Sequence, residues 1–147
     1  MIRNHKRLMV VSVAVFVAAF ALVTAVQVGS VVRAQSQKRV FEIRTYTANE
    51  GKLLDLHARF RNHTLRLFEK HGMTNVGYWS PEDAPLSQNT LIYVISHDSR
   101  EAAKANWDGF RKDPEWVKVQ TESEVNGKLV AKVDSVYMDA TDYSPMK

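Results

Sequence analysis

One apolar stripe between residues 50 and 71 constrains the fold of this chain more than any other feature of its sequence. Apolar and weakly polar side chains recur there at intervals of three and four residues, which is the repeat of one side of an α-helix. They are Leu53, Leu56, His57, Phe60, Thr64, Leu67, Phe68 and His71, and the opposite side carries Asp55, Arg59, Asn62, Arg66 and Glu69. The pattern predicts a helix from about Glu50 to His71, capped by Asn49 and ended by Gly72. Such a helix has to bury its apolar side against a second layer.

Four segments around this helix have the composition and alternation of β-strands. The first, Val40–Thr47 (VFEIRTYT), is rich in β-branched and aromatic residues. Its alternation places Phe41, Ile43 and Thr45 on one face and Glu42, Arg44 and Tyr46 on the other. The remaining predicted strands are Met73–Ser80, Thr90–His97 and Leu129–Met138.

Two further helices are predicted in the second half of the chain. Asp98 followed by Glu101 has the spacing of a capping box, and Asp113 followed by Pro114 predicts a restart as a short helix. The main elements therefore follow the order β, α, β, β, α, β, which predicts an α+β fold of the ferredoxin-like βαββαβ type. Because two helices cover only one face of such a sheet, we expect a second copy of the chain to cover the other face in a homodimer.

A basic head and a long uncharged run precede these elements. Residues 3–7 contain three basic side chains, Leu8 to Val26 has no charge, and Val32 and Ala34 occupy the positions that a signal peptidase recognises. Residues 1–34 are therefore predicted to be a signal peptide cleaved after Ala34. The alternative is a retained N-terminal membrane anchor, since the run is almost long enough to span a bilayer. Either version places the domain outside the cytoplasm, in the periplasm or secreted, and only an uncleaved segment contacts the membrane.

The distribution of charge argues against a nucleic-acid partner. The chain of 147 residues has a formal net charge of +4, from 20 basic and 16 acidic residues. Four of the basic residues and none of the acidic ones precede residue 35, so the remainder is formally neutral. A phosphate-binding surface needs a local excess of Lys and Arg that its alternating charges do not supply. The absence of cysteine excludes disulfides, a thiol nucleophile and thiolate metal sites.

Several short motifs follow one another through the predicted domain. They are FEIRTYT (Phe41–Thr47), Gly51 and Lys52 at the start of the long helix, VGYW (Val76–Trp79), the apolar strand ending at His97, and DPEW (Asp113–Trp116). In order and spacing they resemble the NIPSNAP family, over a domain at residues 40–139. The resemblance implies a dimeric α+β barrel, in agreement with the order of elements. It implies no particular reaction.

Three candidate site residues share one face of the first predicted strand. Glu42, Arg44 and Tyr46 would place a carboxylate, a guanidinium group and a phenol side by side. Such a set can hold a polar ligand or direct a proton. The alternative is an ion pair at a dimer interface, where charged pairs serve registry or solubility.

Other candidates are histidines and tryptophans. His57 lies on the stripe of the long helix, where a core histidine bonded to the backbone or water is the alternative to a ligand-binding role. Trp79 and Trp116 either fill the core or line a cleft for a small apolar molecule. His97 ends a strand, which suits a hydrogen-bonding or capping role, with a haem ligand as the weaker alternative. No pair of histidines has the spacing of a helical metal site, so no metal is predicted.

Two functions are consistent with these residues. The first is a homodimeric module of the cell envelope that binds a small apolar ligand or an envelope protein, since the sequence contains no recognisable catalytic motif. The second is a cofactor-independent monooxygenase or isomerase that uses Arg44 and His57 around an aromatic pocket, by analogy with other dimeric α+β barrels. Neither function requires a cofactor.

Overall fold

A four-stranded antiparallel sheet forms one layer of the computed structural model, which describes residues 39–147. Its strands are β1 (Val40–Ala48), β2 (Thr74–Trp79), β3 (Thr90–His97) and β4 (Val130–Asp139), in the order β2-β3-β1-β4. Strand β1 pairs antiparallel with β3 and with β4, and β2 pairs antiparallel with β3. This is the predicted ferredoxin-like arrangement. The predicted signal peptide, residues 1–34, lies outside the described residues.

Helix α1 contains a π turn in its middle. It is α-helical over Leu53–Arg59, widens over Phe60–Thr64 and is α-helical again over Leu65–Lys70. At the turn the Leu65 N–H bonds to the Phe60 carbonyl, five residues back instead of four. The Thr64 hydroxyl donates to the Arg59 carbonyl at 3.2 Å. The predicted helix is thus confirmed, but its sequence pattern gave no sign of the wider turn.

The predicted cap of α1 is wrong. The Asn49 side chain does not accept a hydrogen bond from the helix, which begins after Lys52 without a side-chain cap. The Asn49 side chain instead donates to the Lys128 carbonyl at 2.7 Å. Since the backbone N–H of Asn49 also bonds to Leu129, this residue joins the end of β1 to the start of β4.

Helices α2 (Arg100–Lys112) and α3 (Pro114–Ser123) follow β3. The predicted capping box of Asp98 and Glu101 is wrong, because the cap is Ser99, whose hydroxyl accepts from the Ala102 N–H at 3.1 Å. The predicted restart is confirmed. The Asp113 carboxylate accepts from the Glu115 N–H at 2.8 Å and so caps α3.

The core lies between one face of the sheet and the three helices. Its fully buried members include Leu56, Leu67 and Phe68 of α1, Tyr93 and Ile95 of β3, and Leu129 just before β4. Aromatic rings form much of it: Tyr93 stacks on Tyr78 with ring centroids 5.4 Å apart, and Phe68 meets Phe110 at 5.0 Å. The aliphatic and phenylalanine side chains of the α1 stripe are therefore buried in the core, as their spacing predicts.

Among residues 39–147, no helix lies against the other face of the sheet, which we call the open face. Its side chains are those of Phe41, Ile43, Thr45, Ile92, Val94, Trp79, Val136 and Met138, as the strand pairing places them. Trp79 and Val136 are 53% and 59% exposed. At one end the segment after β4 lines a cavity with Phe41 and Met138. Within residues 39–147 no helix is long and apolar enough to cross a bilayer.

Candidate functional site

The inner face of β1 carries Glu42, Arg44 and Tyr46. The shared face is confirmed, and it is the face covered by the helices: Glu42 is fully buried, and the Tyr46 ring lies edge-on to Phe60 of α1 at 5.9 Å. The predicted ion pair is also present, since Arg44 Nη1 donates to Glu42 Oε1 at 2.6 Å. Its assignment to a dimer interface is wrong, because α2 closes over this carboxylate within the same chain.

Glu42 is the centre of a buried hydrogen-bond network. Oε1 accepts from Arg44 and from the Ser135 hydroxyl of β4 at 2.6 Å, and Oε2 accepts from Trp107 Nε1 of α2 at 2.7 Å. His97 Nε2 of β3 lies 3.1 Å from Oε2. Burial alone would raise the pKa of Glu42, but the hydrogen bonds from His97, Ser135, Trp107 and Arg44 outweigh it and lower the pKa to about 2. The carboxylate is therefore an ionised anchor that joins three strands to α2.

His97 has the hydrogen-bonding role that its position predicts. Its side chain is fully buried, with Nε2 at Glu42 and Nδ1 3.3 Å from the side-chain nitrogen of Asn106. The same nitrogen of Asn106 donates to the Gly72 carbonyl at 2.9 Å. Because both ring nitrogens face protein groups, His97 holds the end of β3 to α2 and to the turn after α1.

His57 is not the core histidine that its place on the stripe predicts. Its ring is partly exposed, and Nε2 lies 3.2 Å from the Ser80 hydroxyl just after β2. Burial, helped by the positive charge of Arg61, lowers the pKa of His57 and so favours its neutral form. Since β3 lies between β1 and β2, the structure does not bring His57 together with Arg44. The residue pair expected for the enzyme alternative is thus separated.

Trp79 lies on the open face and is not part of the core. Its ring folds back over the sheet and covers Gly77, where an added Cβ would lie 2.5 Å from the ring. The core-filling interpretation is therefore wrong for Trp79.

A cleft between α3 and β4 brings together Tyr46 and Trp116, two of the predicted site residues. It has a volume of about 290 Å³. Aromatic rings form its inner wall, and the backbone and side chains of residues 130–133 form the other wall. Trp116 packs against Phe110 with ring centroids 4.4 Å apart. We call this space the α3–β4 cleft.

Arg59 and Glu124 add an ion pair to the α3–β4 cleft, and the sequence did not predict it. Arg59 was expected on the polar side of α1, yet it is only 5% exposed. The reason is that α3 packs across that side of the helix, so that Arg59 Nη1 donates to Glu124 Oε1 at 2.9 Å. The guanidinium group also lies over the ring of Trp116, with Cζ 5.2 Å from its centroid. The sequence contains one signal for the burial of Arg59. This residue directly precedes Phe60 of the apolar stripe and so lies beside the stripe on the helix surface.

The order of elements and the antiparallel sheet define a ferredoxin-like α+β domain of the kind found in dimeric α+β barrels. Residues 41–145 match the NIPSNAP family model. The chain belongs to the NIPSNAP family.

Solved structures share this fold at low sequence identity. A NIPSNAP family protein of unknown function from Agrobacterium tumefaciens is 19% identical with a TM-score of 0.65, covering 76% of this chain and 96% of its own. A NIPSNAP-like domain protein from Burkholderia xenovorans is 15% identical with a TM-score of 0.63, covering 74% and 90%. SnoaB, a cofactor-independent oxygenase from Streptomyces nogalater, is 11% identical with a TM-score of 0.50, covering 74% and 98%. A search of curated proteins gave no match.

Proposed function

We propose that this protein is an exported, homodimeric binding domain that holds a small, largely apolar molecule in the α3–β4 cleft. The observation that carries this proposal is the aromatic wall of the cleft. Rings from β1, α1, α2 and α3 converge there, namely Tyr46, Phe60, Phe68, Phe110 and Trp116. Aromatic and apolar walls with a few polar groups at the mouth are what small-molecule sites share.

The size of the cleft limits the ligand. A volume of about 290 Å³ lies just below the range of roughly 300–1,000 Å³ that is usual for ligand pockets. This favours one aromatic ring or a short apolar chain over a larger polycyclic molecule. The outer strand β4 forms one wall, and no further strand covers its free edge among residues 39–147. A ligand can therefore enter from the side without opening the core.

Filling the cleft tests this proposal directly. Ala131 lies in the β4 wall, so Ala131→Trp places a large ring inside the cleft. Ala105 is exposed on α2, away from the cleft, so Ala105→Trp is the matched control. Calorimetric titration with a panel of one-ring compounds should give saturable binding to the wild-type protein and to the control. Ala131→Trp should abolish it. Equal binding by all three proteins would place the ligand elsewhere, and no binding by the wild-type protein would refute the proposal.

Homodimerisation through the open face is the second part of the proposal. This face exposes apolar side chains that alternate along β1, β3 and β4, and a two-fold axis would bury the same patch on both copies. Val136 lies on it at 59% exposure, whereas Val125, after α3, is 78% exposed and not part of the sheet. Val136→Glu should give a monomer in sedimentation experiments, and Val125→Glu should remain dimeric. A wild-type monomer, or a different envelope protein bound in place of the second copy, would contradict the homodimer.

Export is the third part. A signal peptide cleaved after Ala34 gives a mature chain that starts at Gln35. Native mass spectrometry of protein isolated from the envelope of its host should give twice the mass of residues 35–147. The full-length mass, in the membrane fraction, would indicate the retained anchor.

A cofactor-independent enzyme is the alternative, and the reaction named for SnoaB makes oxygen uptake the assay of choice. Oxygen consumption that saturates with a cleft ligand and disappears in Ala131→Trp would support it. Since Arg44 and His57 are separated, such an enzyme would have to use residues of the cleft itself.

A further inference from the structure

Arg59 is a buried cation in the wall of the α3–β4 cleft. Its side chain is enclosed by α1 and α3, and its guanidinium group lies near the ring of Trp116. A buried charge is strongly destabilising unless a counter-charge accompanies it. Glu124 supplies that counter-charge here, at 2.9 Å.

The hydrogen bonding of Arg59 is one-sided. Both bonds come from the same nitrogen, Nη1, which donates to Glu124 at 2.9 Å and to the Ser123 hydroxyl at 3.3 Å. Nε is buried and has no hydrogen-bond partner among the described residues. A guanidinium group often holds a carboxylate through two parallel N–H groups. The contact with Glu124 therefore leaves a buried donor unsatisfied, which is unfavourable.

Glu124 can leave this position more easily than Arg59 can. It is the C-terminal cap residue of α3, its side chain is 20% exposed, and it lines the cleft beside Gln120. Rotation of this side chain would carry its carboxylate into water while α3 stays in place. Arg59, in contrast, is fixed in the middle of α1 next to the π turn.

We propose that the ligand of the α3–β4 cleft is a small aromatic carboxylic acid whose carboxylate replaces Glu124 on Arg59. This inference rests on the proposed function of the cleft. The incoming carboxylate takes Nη1, which Glu124 releases, together with Nη2, so two parallel hydrogen bonds replace the one-sided contact and the buried charge stays compensated. The ring of the ligand then lies against Trp116 and Phe110. Lys128 at the same mouth adds a positive charge that attracts the anion.

Calorimetric titration with matched pairs of ligands tests the carboxylate. Benzoate and phenylacetate carry the acid, and benzyl alcohol and benzamide have similar rings without the charge. We expect the wild-type protein to bind the acids at least about tenfold more tightly, because hydrogen bonds to charged groups contribute more than neutral ones. Arg59→Met keeps the apolar stem but removes the charge, and should weaken the acids by about 10- to 100-fold while the neutral ligands change little.

A second variant acts on the competing group. Glu124→Gln removes the carboxylate that occupies Arg59, so it should strengthen the binding of benzoate more than that of benzyl alcohol. This variant decides the question if Arg59→Met does not fold. Glu122→Gln, an exposed change on α3 outside the cleft, is the control for the loss of one negative charge.

Failure of this inference is distinguishable from failure of the cleft itself. If acids and neutral ligands bind equally, and the ratio of their affinities does not change in Glu124→Gln, the inference of a carboxylate ligand is wrong. The cleft would then remain a site for neutral rings. If none of the one-ring compounds binds, both the proposed function of the cleft and the inference of a carboxylate ligand are refuted.

Discussion

Replacing Glu42 by glutamine should destabilise this domain more than any single change of an exposed carboxylate. The glutamine side chain would keep the shape of the glutamate but lose the charge that compensates Arg44. Its amide nitrogen must also take the place of one carboxylate oxygen, and each of these oxygens now accepts hydrogen bonds from its own group of donors. Arg44 on one side and Trp107 on the other can only donate, so either orientation brings two donors together. No flip of the amide satisfies the network.

The pKa of Glu42 gives the size of the effect. It falls from 4.5 in the unfolded chain to about 2 in the folded domain. A shift of that size corresponds to about 3 kcal/mol of folding free energy at neutral pH. Because the folded-state pKa is the lower one, this stability is present above pH 4.5 and is lost as the pH falls from 4.5 towards 2.

Urea and thermal unfolding of the protein measure this loss. At pH 7 we expect Glu42→Gln to lower the free energy of unfolding by about 3 kcal/mol and the Tm by about 10 °C or more. The difference from the wild-type protein should shrink at pH 3. Asp134→Asn on β4 is the control: Asp134 pairs with Lys132 at 2.8 Å and is 54% exposed, so its loss should change stability by no more than about 0.5 kcal/mol. If Glu42→Gln unfolded like the control, the network would be structurally unimportant and the reasoning wrong.

Two further predictions concern local structure. Ser99→Ala should lower the stability of the domain by about 1 kcal/mol in urea unfolding, because it removes the cap of α2, whereas Asp98→Ala should have little effect. If Asp98→Ala were the more destabilising of the two changes, the capping box of Asp98 and Glu101 would be correct after all. Gly77→Ala should shift the fluorescence of Trp79 and weaken the proposed dimer with little change in Tm, because the exposed ring can move away from the new methyl group. An unchanged emission spectrum would contradict the contact between the ring and Gly77.

The sequence predicted the arrangement of elements because that arrangement depends on local pattern. Alternation in β1 and the apolar stripe of α1 each report which side of an element is buried, and burial drives the layers together. The predicted β3 agrees with the observed strand at both ends. Asp113 and Pro114 predicted the start of α3 because both act within one turn of the helix.

The site could not be predicted because its contacts join distant parts of the chain. Arg59 and Glu124 are 65 residues apart, and Glu42 and Ser135 are 93 apart. Periodicity places Arg59 on the polar side of α1, but it contains no information about the packing of α3 against that side. Alternation in β1 likewise does not indicate which of its two faces packs against the helices and which is left for a partner. Only the packing of α2 over Glu42 decides it.

The π turn of α1 affects how this chain should be compared with its relatives. One extra residue in a helical turn rotates everything after it by about 100° relative to a regular helix. An alignment that runs through Phe60–Thr64 without a gap, against a relative whose helix is regular, would pair inward side chains such as Leu67 with outward ones. A one-residue gap at the turn restores the correspondence. Residues after Thr64 should therefore be matched by their position in space before any role is transferred from one member to another.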